Sequence, residues 1–169
     1  MDINKDKLNG RYGQGKGLFL VPLMGAQEFT GALEYACHFA KAQDCHVALL
    51  RIIDTVHVAG WRDIEKLVQK EERETAEEML WSAAGRVLEL TGKYPALYIE
   101  EGEVSDAIVR TIKSDKQISA LVLAPATSAS KPGPLVKYFS RKGLARLSVP
   151  VIIAPTKTER PLHNPPQLP

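Results

Sequence analysis

The stretch ALVLAPATSASKPGPLVKYFSRKGLARLSVPVIIAP, residues 120–155, decides the fold of this chain. Two short apolar runs, 120–124 and 149–154, are separated in it by a polar loop and one helical segment. The pattern predicts a buried strand, a loop of the size that binds a phosphate, a crossover helix and a final strand. In an open parallel sheet, ligands bind at the loops after the carboxyl ends of the strands. The loop from Pro125 to Lys137 therefore bears directly on function.

The chain before this stretch alternates in the same way between short apolar runs and segments with apolar residues at helical spacing. Strands that alternate with helices predict parallel crossover units with right-handed connections. The predicted fold class is α/β, a three-layer α/β/α sandwich around a five-stranded, mainly parallel open sheet. The predicted strands are 18–23, 46–53, 94–100, 118–124 and 149–154. The predicted helices are 27–42, 61–91 with Gly92 as its stop, 105–114 with Ser105 as its cap, and a fourth helix after the loop.

Length and composition predict one domain with loose ends. The chain has 169 residues with 44% hydrophobic content, which is enough for a single full-sized core. The segment 1–17 is rich in glycine and polar residues, and 157–169 is rich in proline, so both are predicted to be flexible around a domain at 18–156.

Charge and cysteine usage exclude several classes of function. The net charge is only +2 and basic residues are scattered among acidic ones, so nucleic acid is not expected as a partner. Cys37 and Cys45 are too few for a secreted disulfide framework and are predicted to be reduced and structural. Neither a signal peptide nor a membrane-length apolar run is visible, so we expect a cytoplasmic protein without membrane association.

Four segments carry a resemblance to a known family. They are LVPLMG at 20–25, GALEYA at 31–36, EGEVSDAI at 101–108 and SVPVII at 148–153. In this order and at these spacings, the chain from Leu18 to Pro155 resembles the single-domain, UspA-like members of the universal stress protein family. The resemblance implies a sheet of the adenine nucleotide alpha hydrolase-like type, and a regulatory or protective role in stress rather than a turnover reaction.

The resemblance also implies a degenerate nucleotide site. Nucleotide-binding members carry a glycine-rich signature after the fourth strand, in which glycines let the backbone approach the phosphates. A gap-free comparison places Ala124, Thr127, Lys137 and Tyr138 on the four signature positions. Met24 stands where ATP-binding relatives usually have an aspartate, and a thioether is only a weak acceptor. The chain is therefore expected to belong to the branch without the signature, and to bind no cofactor.

An alternative remains open, in which a nucleotide- or anion-binding switch uses the Ser/Thr/Lys loop in place of glycines. Asp54, at the carboxyl end of the second strand, also faces this cleft region. The candidate ligand-binding residues are Met24, Asp54, Ala124, Thr127, Ser128, Ser130, Lys131, Lys137 and Tyr138.

The sequence of the last strand predicts that the chain associates with a second copy. Its two faces are both apolar, and Pro150 is tolerated mainly on an edge strand or at a strand start. An exposed apolar edge invites pairing with another chain, so the edge is expected to be covered. In related stress proteins this strand meets its twofold mate, which implies a homodimer with an interface at Val149, Val151, Ile152, Ile153 and Ala154.

No catalytic or metal-binding residues stand out. The four histidines are scattered, and none keeps metal-ligand spacing with a cysteine. A response-regulator receiver is disfavoured because Met24 and Ala154 cannot supply the acid and lysine of a divalent-metal site. A pure interaction module stays open as a third alternative. It would bind an unknown protein through the acidic run 71–78, which is predicted to be a solvated helix face, or through the basic cluster Lys131, Lys137, Arg141, Lys142 and Arg146.

Overall fold

The computed structural model of the chain describes residues 17–24, 28–53, 62–125 and 132–155, and the structural statements below concern these ranges. The strands are β1 (Leu18–Leu23), β2 (His46–Ile53), β3 (Ala96–Glu101), β4 (Ile118–Leu123) and β5 (Val151–Ile153). The helices are α1 (Glu28–Ala42), α2 (Arg62–Thr91), α3 (Val104–Ser114) and α4 (Pro134–Phe139), and a 3-10 turn follows at Leu144–Arg146.

The five strands form one parallel sheet in the order β3-β2-β1-β4-β5. From β1 the chain winds outward through β2 to β3, and then returns to the other side of β1 for β4 and β5. The direction of winding therefore reverses between β1 and β4. This is the topological switch point of an open α/β sheet, at which ligands bind.

The strands are apolar on both faces because helices cover both sides of the sheet. On one face Phe19, Val21 and Leu23 of β1 pack in a core cluster with α1 and α2. On the other face Leu18 and Leu20 pack in a second cluster with α3 and α4. The predicted three-layer sandwich and its five-stranded sheet are confirmed.

The predicted start of α3 at Ser105 is wrong. The helix is capped by Glu103, whose carboxylate accepts the backbone N–H of Asp106 at 2.8 Å. Ser105 lies within the first turn, and its hydroxyl donates to Glu103 Oε2 at 2.6 Å. A charged carboxylate is a stronger acceptor for the free N–H groups of a helix start than a hydroxyl.

The fourth helix ends before Arg141 and Lys142 of the predicted basic cluster. It ends at Phe139, and the N–H of Gly143 then bonds to the carbonyl of Tyr138 at 3.0 Å, so Arg141 and Lys142 lie in a turn. Lys137, Arg141 and Lys142 of the predicted basic cluster therefore do not form one face of a helix. A Cβ on Gly143 would lie 2.4 Å from the Tyr138 ring, and this close approach is the physical reason that the chain turns here.

The final strand is also shorter than predicted, with three residues in place of six. Pro150 cannot donate a backbone hydrogen bond, although its carbonyl accepts the N–H of Leu121 at 2.9 Å. Ala154 still donates to the carbonyl of Leu123 at 2.9 Å beyond the strand end. The predicted edge position of this strand is confirmed by the sheet order.

Helix α2 extends past the core that it covers. It has 30 residues, or about 45 Å at the usual rise, whereas its first buried side chain among those described is Ala76. Glu71 to Glu74 are exposed, which confirms that the acidic run faces solvent at this point. Among the helices in the described ranges, none combines the length and apolar character that spanning a membrane requires.

Candidate functional site

A small pocket lies at the carboxyl ends of β1 and β4, at the switch point of the sheet. Its volume is about 130 Å³. An apolar cavity of about 150 Å³ in another protein holds one benzene molecule, so this pocket has room for a group of about that size. The residues that line it are Pro22, Met24, Leu123, Ala124, Gly133, Pro134, Leu135 and Val136.

The lining follows from the local sequence. β1 and β4 end with apolar residues, and α4 begins directly above them with Pro134 in its first turn and Gly133 as its N-cap. Val136 and Phe139 of α4 are buried in the core, which holds the short helix against the strand ends. The side chains that reach the pocket are therefore almost all apolar.

Two of the predicted ligand-binding residues meet at this pocket. Met24 is 36% exposed and Ala124 is half-buried, and both belong to the lining. Lys137 and Tyr138 lie further along α4 and do not line the pocket. The remaining predicted ligand residues, Asp54, Thr127, Ser128, Ser130 and Lys131, lie outside the described residues.

Tyr138 takes part in a different contact network. Its hydroxyl accepts a hydrogen bond from Arg146 Nη1 at 2.8 Å, and its ring stands edge-on to Phe139 with the ring centroids 5.1 Å apart. Arg146 also forms an ion pair with Asp106 of α3 at 2.8 Å. Arg146 is therefore a neutralised member of the predicted basic cluster, and it ties the 3-10 turn to the start of α3.

These contacts shift the pKa values of two charged side chains near the start of α3. The hydroxyl of Ser105, with the backbone N–H of Asp106 and the charge of Arg146, holds the pKa of the Glu103 carboxyl below its usual range. Hydrogen bonds to Tyr138 and Asp106 raise the pKa of Arg146. This network orders the surface beside α4 and adds no group to the pocket.

Sequence reasoning missed one charged residue at this edge of the sheet. Arg51, in β2, is half-buried, and its Nη1 donates to the carbonyl of Leu23 at 2.8 Å and to that of Met24 at 3.4 Å. Arg51 itself is not among the residues that line the pocket. The signal was present in the sequence, because a lone cation interrupts the apolar run of the second strand.

Among the described residues, Cys37 and His46 are not placed for nucleophilic or metal chemistry at the pocket. Burial raises the pKa of the Cys37 thiol to about 12, so the thiol stays protonated at neutral pH. Burial, followed by the charge of Lys93, lowers the pKa of His46, which begins β2 at the opposite edge of the sheet. No group of three potential metal-binding side chains occurs in the part of the chain that the structure describes.

Comparison with known proteins gives a family and a set of similar structures. Residues 19–155 match the profile of the Universal stress protein family. Among curated proteins, no significant sequence match is found.

The similar solved structures share the fold at low sequence identity. Universal stress protein UspA from Lactobacillus plantarum has a TM-score of 0.69 at 16% identity, with 85% of this chain and all of that chain covered. A universal stress family protein from Burkholderia pseudomallei has a TM-score of 0.63 at 20% identity, with 85% of this chain and 98% of that chain covered. The universal stress protein from Archaeoglobus fulgidus in complex with dAMP has a TM-score of 0.59 at 15% identity, with 82% and 98% covered.

Proposed function

The chain belongs to the universal stress protein family, and from this we propose that it acts as a cytoplasmic homodimer with a regulatory or protective role in stress. We further propose that it does not bind ATP in the way of the family's nucleotide binders. The cytoplasmic location is supported by the cysteine count, since two cysteines are too few for the disulfide framework of a small secreted domain.

The apolar pocket at the switch point is the observation that carries this proposal. Pockets that bind drug-sized ligands usually have about 300–1,000 Å³, and the volume here is about 130 Å³. Met24 supplies a thioether where a ribose hydroxyl would need a good acceptor. The dAMP complex of the A. fulgidus protein indicates that the same fold can bind a nucleotide. The side chains here do not favour the same ligand.

The homodimer is supported by the exposed edge of the sheet. β5 is an edge strand, and Ile153 within it is 49% exposed. Val151 and Ile152 are only half-buried. An apolar edge strand offers both backbone hydrogen bonds and side-chain contacts to a second copy.

A nucleotide- or anion-binding switch is the second candidate function. Arg51 favours it, because a half-buried guanidinium lies at the edge where ligands of this fold bind. This candidate requires that a negatively charged group reach the carboxyl end of β1.

Calorimetric titration with Mg-ATP tests the main proposal. We expect no heat of binding, because the pocket, as the described residues line it, has neither the volume nor the side-chain acceptors for the nucleotide. The A. fulgidus protein titrated with dAMP under the same conditions serves as a positive control. A dissociation constant in the micromolar range, about −8 kcal/mol, would contradict the proposal.

A further inference from the structure

Strand β3 forms the edge of the sheet opposite β5, and alternate residues of it point their backbone groups outward. In a parallel pair, successive residues of a strand direct their N–H and C=O groups to opposite sides. Gly102 donates its N–H to the carbonyl of Ile53 in β2 at 3.1 Å, so Tyr98, four residues earlier, also points toward β2. Leu97 and Ile99 therefore direct their N–H and C=O groups away from the sheet. No described strand other than β2 pairs with β3.

The flank of α2 that lies over this edge carries apolar side chains. α1 packs on β1, β2 and β4, whereas α2 packs on β2 and β3, so the side of α2 away from α1 faces the β3 edge. Arg86 marks the α1 side, because it pairs with Glu34 of α1 at 3.0 Å. Trp81 lies about 140° around the helix from Arg86, and Leu88 lies within about 20° of Trp81. Trp81 and Leu88 are therefore on the side of the β3 edge.

Four residues of α2 and β3 form one apolar surface at this edge, which we call the α2–β3 surface. Trp81 is 55% exposed, and Leu88, Leu97 and Ile99 are half-buried. Leu97 and Ile99 pack against the core cluster that α2 covers. α2 runs opposite to β3, so Trp81 lies toward the carboxyl end of the strand and Leu88 toward its start. A large aromatic side chain that stays in water beside an unpaired strand edge is typical of a protein-binding surface.

The carboxyl end of the α2–β3 surface is negatively charged. Two of its acidic side chains are neutralised by arginines at 3.5 and 3.7 Å. The other two are Glu78, one turn of α2 before Trp81, and Glu101, at the end of β3. Both are exposed, and among the described residues no cation lies within 4 Å of either carboxylate. These charges repel a second copy of the same surface and attract a segment that carries Lys or Arg.

β3 also defines the sequence pattern that would fit beside it. Leu97, Ile99 and Glu101 lie at alternate positions, so their side chains share the face of the sheet that α2 covers. A strand added beside β3 places alternate side chains next to these three. The complementary pattern has apolar residues at two alternate positions and Lys or Arg at the next. The exposed ring of Trp81 suits both kinds of residue, through apolar contact and cation–π attraction.

We propose that the α2–β3 surface binds an extended basic segment of another protein, which pairs with β3 as a sixth strand. The outward backbone groups of Leu97 and Ile99 bond to this segment, Trp81 covers its apolar residues, and Glu78 and Glu101 attract its Lys or Arg. β3 and β5 are opposite edges of the sheet, so the segment and a second copy of the chain can be bound together. The inference goes beyond the proposed function and depends on neither the dimer nor the pocket.

The test uses the full chain and three synthetic heptapeptides with blocked ends. The first has valine at positions 3 and 5, lysine at positions 1 and 7, and threonine elsewhere, so that it has the pattern in either orientation. The second has glutamate in place of lysine. The third is the first with every peptide nitrogen methylated, so that it donates no backbone hydrogen bond. We expect the first to shift the indole N–H resonance of Trp81 saturably, and to bind at least tenfold more tightly than the other two.

Hydrogen exchange measures the added strand pairing directly. In the free protein the amides of Leu97 and Ile99 should exchange faster than that of Tyr98, which already points toward β2. Saturation with the first peptide should slow exchange at Leu97 and Ile99 at least tenfold. Exchange that stays unchanged at both residues would mean that the peptide does not pair with β3, and would overturn the proposal.

A matched pair of variants tests the aromatic side chain. Trp81→Ala removes the exposed ring, and affinity for the first peptide should fall at least tenfold. Leu67→Ala is the control, because Leu67 is 57% exposed on the same helix and lies about 21 Å from Trp81 along it. It should change the affinity less than twofold.

A second set of variants tests the charge. The double variant Glu78→Gln and Glu101→Gln should weaken the first peptide at least threefold and should narrow its advantage over the glutamate peptide. Glu89→Gln removes the same charge on the α1 side of α2, where Glu89 pairs with Arg86 at 3.2 Å, and should change the affinity less than twofold.

The outcomes separate this inference from the proposed function. Binding that needs Trp81, lysine and free peptide N–H groups supports the inference, whatever the Mg-ATP titration or the oligomeric state shows. Absence of saturable binding of the first peptide, equal binding of the glutamate or methylated peptide, or unchanged affinity in Trp81→Ala overturns it. A positive Mg-ATP titration contradicts the proposed function and leaves this inference intact.

Discussion

Single side chains at the carboxyl edge of the sheet divide into those that hold the structure and those that shape the pocket. Arg146 pairs with Asp106 between the 3-10 turn and α3, and Glu103 caps the start of α3. Met24 and Ala124 line the pocket without charge. Residues with the same apparent role in the sequence, such as Tyr138 and Ala124, therefore have different roles in the structure.

Replacement of Glu103 tests the structural network at this scale. Glu103→Ala removes the acceptor for the Asp106 N–H, and loss of an N-cap costs about 1 kcal/mol of unfolding free energy at pH 7. The folded-state pKa of Glu103 lies below its usual range, so its stabilisation is present above the unfolded pKa and is lost as the pH falls through the folded pKa. Urea unfolding at several pH values measures both effects.

The difference in stability between the parent and Glu103→Ala should therefore shrink as the pH is lowered below about 4.5, toward full protonation of the carboxyl. Ser105→Ala should weaken this pH dependence, since it removes the hydroxyl bond that lowers the pKa of Glu103 most and keeps the carboxylate on the Asp106 N–H. A difference between parent and Glu103→Ala that stays constant down to pH 3 would rule out the charged cap.

At the scale of helices and strands, Gly85 and Gly143 lie in opposite kinds of surroundings. Gly85 lies within α2, is exposed, and has nothing within 4 Å of the position of a Cβ. Gly143 is buried after α4, and a Cβ there would lie 2.4 Å from Tyr138 and 2.8 Å from Phe139. Neither has a positive φ, so only the surroundings differ.

Replacement of glycine by alanine should therefore change the free energy of unfolding in opposite directions at the two positions. Gly85→Ala should stabilise the protein by about 0.5–1 kcal/mol, because alanine loses less backbone entropy in a helix. Gly143→Ala should destabilise it by about 1–3 kcal/mol, because the ring of Tyr138 must move. Thermal and denaturant unfolding measure both. Equal effects of the two substitutions would show that packing against Tyr138 is not what requires Gly143.

The helices and strands show most clearly which structural features the sequence predicts and which it does not. The apolar runs of β1, β2 and β4 and the stop at Gly92, which has φ of 74°, were predictable, since burial on both faces and a left-handed glycine leave direct patterns. The early end of α4 was not, because it depends on contact between Gly143 and Tyr138. Arg51 is visible in the sequence as a lone cation in the apolar run of β2, but its bonds to the carbonyls of Leu23 and Met24 depend on the register of β1 with β2.

At the scale of the whole molecule, the terminal segments define the limits of the folded domain. Deletion of 1–16 and 157–169 should leave the midpoint of thermal unfolding nearly unchanged, because these segments offer little apolar surface. Gly17 has to be kept, since its carbonyl accepts the N–H of His46 at 3.0 Å. A further deletion through Gly17 is the control, and should cost about 1 kcal/mol.

Calorimetry of these truncations decides the domain limits. In a chain of this length about 1 kcal/mol corresponds to roughly 2–4 °C in the unfolding midpoint. A larger drop on deletion of 1–16 and 157–169 would mean that one of these segments packs on the core or completes the assembly.

We predict that assembly depends on β5, because the two edges of the sheet differ. The outer strand β3 has six residues and carries Glu100 and Glu101 at its end, and charged side chains protect an edge from pairing. β5 has only three residues, all apolar, and Ile153 is half exposed. A ladder of three residues offers few hydrogen bonds, so apolar contact must supply most of the free energy of association. A twofold axis beside β5 would bring each Ile153 against the other copy.

Ile153→Glu should therefore convert a dimer of the 18.6 kDa chain into monomers, because it places two like charges in one desolvated contact. Leu67→Glu is the matched control, since Leu67 is exposed to a similar extent but lies on α2, away from the edge. Light scattering at micromolar concentration should give the dimer mass for the parent and Leu67→Glu, and the monomer mass for Ile153→Glu. A monomeric parent, or a dimer that persists in Ile153→Glu, would mean that β5 does not form the interface.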